Sequence, residues 1–391
     1  MRLADIVRTF AAAHLIVLPA QAEEFHGFDP AAFEGRMLAP EQLQAMVADA
    51  QDHSPPTNGA SYVFGFANLQ RDMIFGIRVE DSIKANVEAA GIEVRVADNR
   101  LDGATALSNA QSFVRRRVDY VIEFQTDVNF GPVIMQHFNR AHIGVIAIDI
   151  PMLGATFFGA DNPRSGFMCG SYLAQAARER FGPEVFEKGY LVVGELPQSG
   201  AIPAMRTNGQ VAGFLAAAPG FAPERIIKID TKNTLQYSFQ QMGNVLGRIP
   251  LGAPVLITAI NDQSVTGMLR AVKQKGRQQD ALAVGMGADE QETLMGEENF
   301  VASVAYFPER YGNYLIPIAL MQLAGREVPP AVLVNHVLVT PANICQYYAE
   351  FPCVDEAALA YEFPAKAFAG HLQSLKANPD LSEYRELIPD G

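Results

Sequence analysis

The run Ile143–Ile148, closed by Asp149 and Pro151, constrains the chain more than any other stretch. It is short and almost wholly apolar, the pattern of a strand whose sheet is covered by helices on both faces. It ends on a carboxylate, and the carboxyl ends of parallel strands are where open α/β sheets bind their ligands. A second short strand is expected over Ala155–Gly159. Asn162 then suits an N-cap and Pro163 the first helical position. The helix that follows, Arg164–Phe181, carries Met168, Tyr172, Leu173 and Ala176 on one face.

The same alternation runs through most of the chain. Strands are predicted over Tyr62–Ala67, Ile92–Val96, Val118–Phe124, Tyr190–Leu196, Arg225–Ile229, Val255–Ile260, Ala281–Met286 and Phe300–Tyr306. Helices lie between them, among them Asp72–Ala90, Pro203–Ala217, Gln263–Lys275, Asp289–Glu297 and Pro308–Leu323. Ile92–Val96 and Arg225–Ile229 are wet on one face, as edge strands are. Each is the second strand of its half, so two copies of the order 2-1-3-4-5 are the economical topology. The expected fold class is α/β: two Rossmann-like lobes with parallel sheets and right-handed crossovers. One more strand is expected over Val332–Val339. The tail from Pro341, with its Pro, Asp and Glu, is expected to wrap the surface. Residues 23–60 read as an extension with one helix over Pro40–Asp52 and a linker at His53–Gly59.

A chain of 391 residues with 49% hydrophobic content can build two cores. Its formal net charge is −13, and no Lys/Arg-rich run interrupts that balance. This argues against nucleic acid and anionic membrane surfaces, and no internal segment has the apolar length of a membrane helix. The partner is therefore small, or another protein. Residues 1–22 join Arg2 and Arg8 to an apolar Phe10–Leu18 and an Ala20-Gln21-Ala22 cleavage form, which reads as a secretion signal. The competing reading is an amphipathic helix on a cytoplasmic protein. Cys345 and Cys353 either close a small disulfide loop in an oxidising compartment or stand as free thiols; the disulfide is the expectation. Cys169 sits on the apolar side of its helix as a small core residue.

Under the 2-1-3-4-5 topology, loops from both lobes face one crevice. They bring Asn68, Arg71 and Asp72 after the first strand, Gln125–Asp127 after the third, and Asp149 after the fourth. The second lobe adds Pro197–Arg206, Asn261, Asp262, Asp289 and Tyr306. Carboxylates, amides and a guanidinium suit a ligand dense in hydroxyls, because each hydroxyl both donates and accepts. Phe64, Phe66 and Phe75 offer a wall for C–H surface. Taken singly, Asn162, Asn261, Asp262 and Asp289 also read as helix caps, and Arg206 as a surface ion pair. Asp149 resists such a reading, since it stands between an apolar strand and Ile150-Pro151. There is no GxSxG, GxxxxGK[ST] or HExxH, no zinc-type spacing and no nucleophile–base pair. No catalytic residue, metal site or cofactor is assigned.

Several segments together resemble a known family. They are the opening from Asn68, IAID with GADN (Asp149, Asp161, Asn162), PAMRTNGxxxGF (Arg206, Gly209, Phe214), INDxxxxGxLxA (Asn261, Asp262, Gly267), VGMGAD and VAYFPERYG. In order and spacing they resemble the type I periplasmic sugar-binding proteins of ABC importers, the ribose- and galactose-binding group, over about Ser61–Val339.

The resemblance implies two lobes joined by three hinge strands, with a sugar or polyol clamped between them and delivered to ABC permease subunits. It implies a periplasmic monomer, and no enzyme. Boundaries follow as a signal at 1–22, an extension at 23–60, lobes at 61–161 plus 307–330 and 162–306 plus 331–345, and a tail at 346–391. By position, ligand contacts fall on Arg71, the Met73–Phe75 aromatic site, Asp149, Arg206, Asn261 and Tyr306. The family's Asp-Arg pair is Asp149-Ile150 here, its aromatic pair is Met73-Ile74 beside Phe75, and its Asp after a late strand falls at Gly287 with Asp289 nearby. These departures point towards a smaller or acyclic polyol. A sensor would look the same in sequence. A LacI-type regulator shares the two-lobe fold but needs an N-terminal helix-turn-helix and a basic surface, and residues 1–60 offer neither.

Overall fold

The computed structural model describes Phe28 and residues 35–354 and 360–389; the segment read as a secretion signal lies outside them. A helix, α1 (Pro40–His53), precedes the first sheet. That sheet takes β1 (Val63–Asn68), β2 (Glu93–Asp98), β3 (Tyr120–Glu123), β4 (Gly144–Ile148) and β5 (Thr156–Ala160). Between them run α2 (Ile74–Ala90), α3 (Gly103–Arg115) and α4 (Gly131–Arg140). After α5 (Asn162–Phe181) and the short α6 (Val185–Lys188), the second sheet takes β6 (Tyr190–Glu195), β7 (Ile226–Asp230), β8 (Val255–Ala259), β9 (Ala281–Gly287) and β10 (Phe300–Ala305). Its helices are α7 (Ala201–Ala217), α8 (Leu235–Leu246), α9 (Asp262–Gln274) and α10 (Gln291–Gly296). The chain returns through α11 (Tyr311–Leu323), β11 (Ala331–Val334) and β12 (Val337–Val339), and closes with α12 (Ala365–Ala377).

The sheet orders are β2-β1-β3-β4-β5-β11 and β7-β6-β8-β9-β10-β12. Both contain the expected 2-1-3-4-5 order. β2 and β7 each form one edge of their sheet, as expected, and are less buried than the strands inside it.

The expectation of one strand over Val332–Val339 is corrected. β11 pairs parallel with β5 in the first sheet, while β12 pairs antiparallel with β10 in the second. Residues 331–334, expected in the second lobe, therefore belong to the first sheet. The chain changes sheets at Asn335-His336; β11 ends at the cleft side as its parallel neighbours do, so β12 enters the second sheet from that side and runs against β10. Passages from β5, from β10 and from β11 make three crossings between the sheets.

Two further corrections concern ends and tail. Asp161, not Asn162, caps α5: its side chain accepts the Arg164 amide at 3.0 Å, which frees Asn162 for another partner. The tail is not merely irregular. Phe368 and Leu372, four apart on α12, join Leu381 and Ile388 against Phe157 of β5 and Phe167, Ile202 and Met205 of α5 and α7. The tail thus covers an edge to which both lobes contribute. In the N-terminal extension, Leu43, Met46 and Ala50 of α1 join the core that holds α2 and α11.

Helices α5 and α7 approach so closely that only glycine fits at their seam. A Cβ on Gly170 would stand 1.8 Å from the Gln210 carbonyl oxygen, and one on Gly213 2.1 Å from that of Phe167. Forcing a side chain into such a seam costs about 3 kcal/mol. Gly170→Ala is expected to lower stability by that order in urea denaturation; an unchanged midpoint would mean that the helices part freely.

Cys345 and Cys353 are joined as a disulfide, and Cys169 is buried.

Candidate functional site

A narrow cleft with a cavity volume of about 60 Å³ lies between the sheets. Its first wall comes from residues just past β1, β3 and β4: Leu69 and Met73, Phe124 and Thr126, Asp149 and Ile150. Its second wall comes from residues past β6, β7, β8 and β10 (Leu196, Asn233, Ile260, Asn261 and Tyr306), with Gly287 ending β9. Every one of these stands at the carboxyl end of its strand, as ligand residues of open α/β sheets do.

Backbone strain collects at the same rim. Asp149, Asn233, Ala288 and Phe307 all have φ between 50° and 60°, and each follows a strand that ends at the cleft. Non-glycine residues held there cost of order 1 kcal/mol or more, and such strain clusters at functional sites.

Asp149 is the central anion. Its Oδ1 is buried without a hydrogen-bond partner, although part of the residue stays accessible from the cleft. The Asp149 amide donates to the Phe158 carbonyl at 2.9 Å. A Cβ on Gly159 would lie 2.7 Å from Oδ1, so glycine there keeps the carboxylate's place open. Burial raises its pKa, and Arg206 and the Ala160 amide pull it back only in part.

Arg206 is the central cation, on the first half of α7. Its Nε donates to Asn162 Oδ1 and its Nη1 to the Ile260 carbonyl, each at 2.8 Å. Nη2 makes no hydrogen bond among the described residues. The guanidinium lies 5.0 Å from the Tyr306 ring centre, a cation–π geometry. Asn162, released from capping, is thus the residue that aims Arg206. The Tyr306 hydroxyl donates to Ser165 Oγ at 3.3 Å, and burial raises its pKa.

Phe75 and Asn261 complete the set of expected residues that meet here. Phe75 stands edge-on to Phe124 and Tyr311, with ring centres 6.1 and 5.7 Å away. Asn261 also caps α9, its Oδ1 accepting the Ser264 amide at 3.0 Å.

The other expected residues do not line the cleft. Asn68 turns its amide to the Gly76 carbonyl at 2.9 Å and to Glu80 at 3.1 Å. Arg71 forks onto Glu80 at 2.8 and 2.5 Å. Burial alone would raise the Glu80 carboxyl, but hydrogen bonds from Arg71, Lys84 and Asn68 outweigh it and hold it at about 2. Asp72 is exposed and accepts from the Gln70 amide. Asp262 points behind the cleft, accepting Ser303 Oγ at 2.7 Å and the Asp289 amide at 3.1 Å. Asp289 lies beside it with Oδ1 unpartnered.

Asn233 and Thr126 were the less visible members. Asn233 sits in the left-handed turn after the edge strand β7, where Asn is a common turn residue whatever its role. Thr126 was inside the Gln125–Asp127 loop but undistinguished from its neighbours; its Oγ1 is buried without a partner. Among the described residues, no group of three or more His, Cys, Asp or Glu could hold a metal ion.

The family model described as periplasmic binding protein domain matches residues 64–327. The ribose import binding protein RbsB of Salmonella typhimurium is 25% identical over 269 residues, 68% of this chain and 86% of its own. Among solved structures, an ABC transporter solute-binding protein of Bacillus halodurans with bound myo-inositol is 20% identical. It covers 74% of this chain and 98% of its own, with a TM-score of 0.61. One from Actinobacillus succinogenes with bound D-allose is 18% identical over 73% of this chain and 100% of its own, again at 0.61. At these identities the structural likeness is one of fold.

Proposed function

The chain belongs to the periplasmic binding protein domain family, and from that premise we propose that it is a solute receptor of an ABC importer. It clamps a sugar or polyol between its lobes and presents the closed form to permease subunits. What supports this reading is the cleft itself: a buried carboxylate with one oxygen unpartnered at the end of β4, facing an aimed guanidinium on α7. A ligand that touches both walls stabilises the closed arrangement by its differential affinity. Relatives with the same fold hold myo-inositol and D-allose, and RbsB is named for ribose.

The proposed lobes are residues 61–161 with 307–334, and 162–306 with 335–345, the second boundary following the sheet membership of β11. The proposed contacts are Phe75, Asp149, Arg206, Asn261 and Tyr306, with Thr126 and Asn233 added. Arg71 and Asn68 are given the task of bracing α2 through Glu80. Secretion to the periplasm, through a signal at 1–22, agrees with the Cys345–Cys353 disulfide, since such bonds persist in oxidising compartments. The receptor acts as a monomer and needs no catalytic group.

A thermal-shift screen against pentoses, hexoses, deoxy sugars and four- to six-carbon polyols tests this. A ligand at 100 times its Kd adds roughly 2.7 kcal/mol, which is several degrees. At least one clear shift is expected. Silence across the whole panel would defeat the proposal.

A further inference from the structure

We propose that the cleft selects a deoxy sugar over the fully hydroxylated parent, with the ligand's hydroxyls along one edge and bare C–H surface opposite. The inference rests on the sugar-receptor reading above and narrows it. Few polar groups in the cleft have hydrogen-bonding capacity to give. The free ones are Asp149 Oδ1, Thr126 Oγ1, Arg206 Nη2, Asn261 Nδ2 and the Asn233 side-chain amide. The remaining polar atoms are spent in part within the protein, the Ser199 and Tyr306 hydroxyls keeping only their acceptor side. The Ser199 hydroxyl donates to the Leu196 carbonyl at 2.7 Å, that of Tyr306 to Ser165, and Asn261 Oδ1 takes the Ser264 amide.

Against this stand Met73 and Phe124 on one wall and Leu196, Ile260 and Met286 on the other, with Ile150 next to Asp149. None can donate to or accept from a hydroxyl, methionine sulfur being at most a weak acceptor. Gly287, at the end of β9, adds no polar side chain, and a Cβ there would lie 2.5 Å from Asp289 Oδ1. A fully hydroxylated ring hexose, with five hydroxyls spread around its edge, sets a hydroxyl against this apolar lining, stripped of water and unpaired. A hydrogen or methyl at that carbon removes the penalty and gains contact. Apolar pockets reject an added hydroxyl by up to about a hundred-fold.

The test is calorimetric titration of the full chain with pairs that differ by one hydroxyl: L-fucose with L-galactose, L-rhamnose with L-mannose, and 2-deoxy-D-ribose with D-ribose. In at least one pair the deoxy member should bind ten-fold or more tightly than its parent. Ile150→Asn, which sets an amide beside Asp149, should shrink that ratio at least three-fold by strengthening the parent. Met286→Gln serves the same purpose from the opposite wall if the first variant does not fold. Parents that bind as tightly as their deoxy partners in every pair would overturn the selection while leaving the receptor reading intact. No heat from any of the six sugars, with no shift in the wider thermal screen, would remove the receptor reading and this inference together.

Discussion

Arg206→Ala should abolish measurable ligand binding and also lower the melting temperature. The guanidinium is buried, holds Asn162 and the Ile260 carbonyl, and lies over Tyr306. Removing it leaves Asn162 Oδ1 and a backbone carbonyl without donors and leaves Asp149 without its cation. Truncating a buried charge that meets the ligand costs about 2–5 kcal/mol of binding, or about 30-fold to more than 1,000-fold in Kd. Arg206→Lys should recover little, because an ammonium cannot serve Asn162, Ile260 and a ligand in one plane. Asp149→Asn separates binding from folding. Burial already disfavours the Asp149 charge, so the neutral isostere should fold at least as well while binding falls by a similar factor. Titration calorimetry beside thermal denaturation reads both. If Asp149→Asn binds like the wild type, the contact set is misplaced.

The second large effect concerns Asp262 and Asp289, the acids behind the cleft. Burial is the main cause that raises both: Asp262 to about 6, and Asp289 well above the ordinary range, with Asp262 adding repulsion. The folded state then holds protons that the unfolded chain has released. Their stabilising contribution is fully present below about pH 4, the unfolded value, and is lost as pH rises through about 6 and beyond. Asp289→Asn removes a buried charge and its repulsion on Asp262, whose Oδ2 still accepts the residue 289 backbone amide. Stability at pH 7.5 should rise by about 1–3 kcal/mol, and its decline between pH 4.5 and 7.5 should flatten. Urea denaturation across that range decides it. A variant less stable than wild type at pH 7.5 would mean that the Asp289 carboxylate is tied to a partner, Arg78 being the cation whose charge favours its ionised form.

The sheets were legible because one wet edge strand in each half fixes where that half begins. Ile92–Val96 and Arg225–Ile229 did this with alternation alone. The final crossing was not legible, since Val332–Val339 is uniformly strand-like and nothing in it marks a change of sheet at Asn335-His336. In the site, Asp149 stood out because an acid ending an apolar strand has few bland explanations. Asn261 and Asp262 are neighbours at one helix start, yet one meets the cleft and the other turns behind it to Ser303; a single residue of helical rotation divides them. Arg71 stands away from the cleft for a different reason. Its partner Glu80 lies nine residues on, and whether the two meet depends on where α2 begins: at Ile74, not at the expected Asp72.

Closure around the ligand is the central claim, and a distance between the lobes measures it. Leu153 in the first lobe and Leu251 in the second are 93% and 88% exposed, so cysteine and a spin label at each should disturb little. The native cysteines are either paired or buried. Pulsed electron resonance should show a distance distribution that shifts and narrows when a saturating hit from the sugar screen is added, and that stays unshifted in Arg206→Ala. A distribution unchanged at saturation would contradict the clamp.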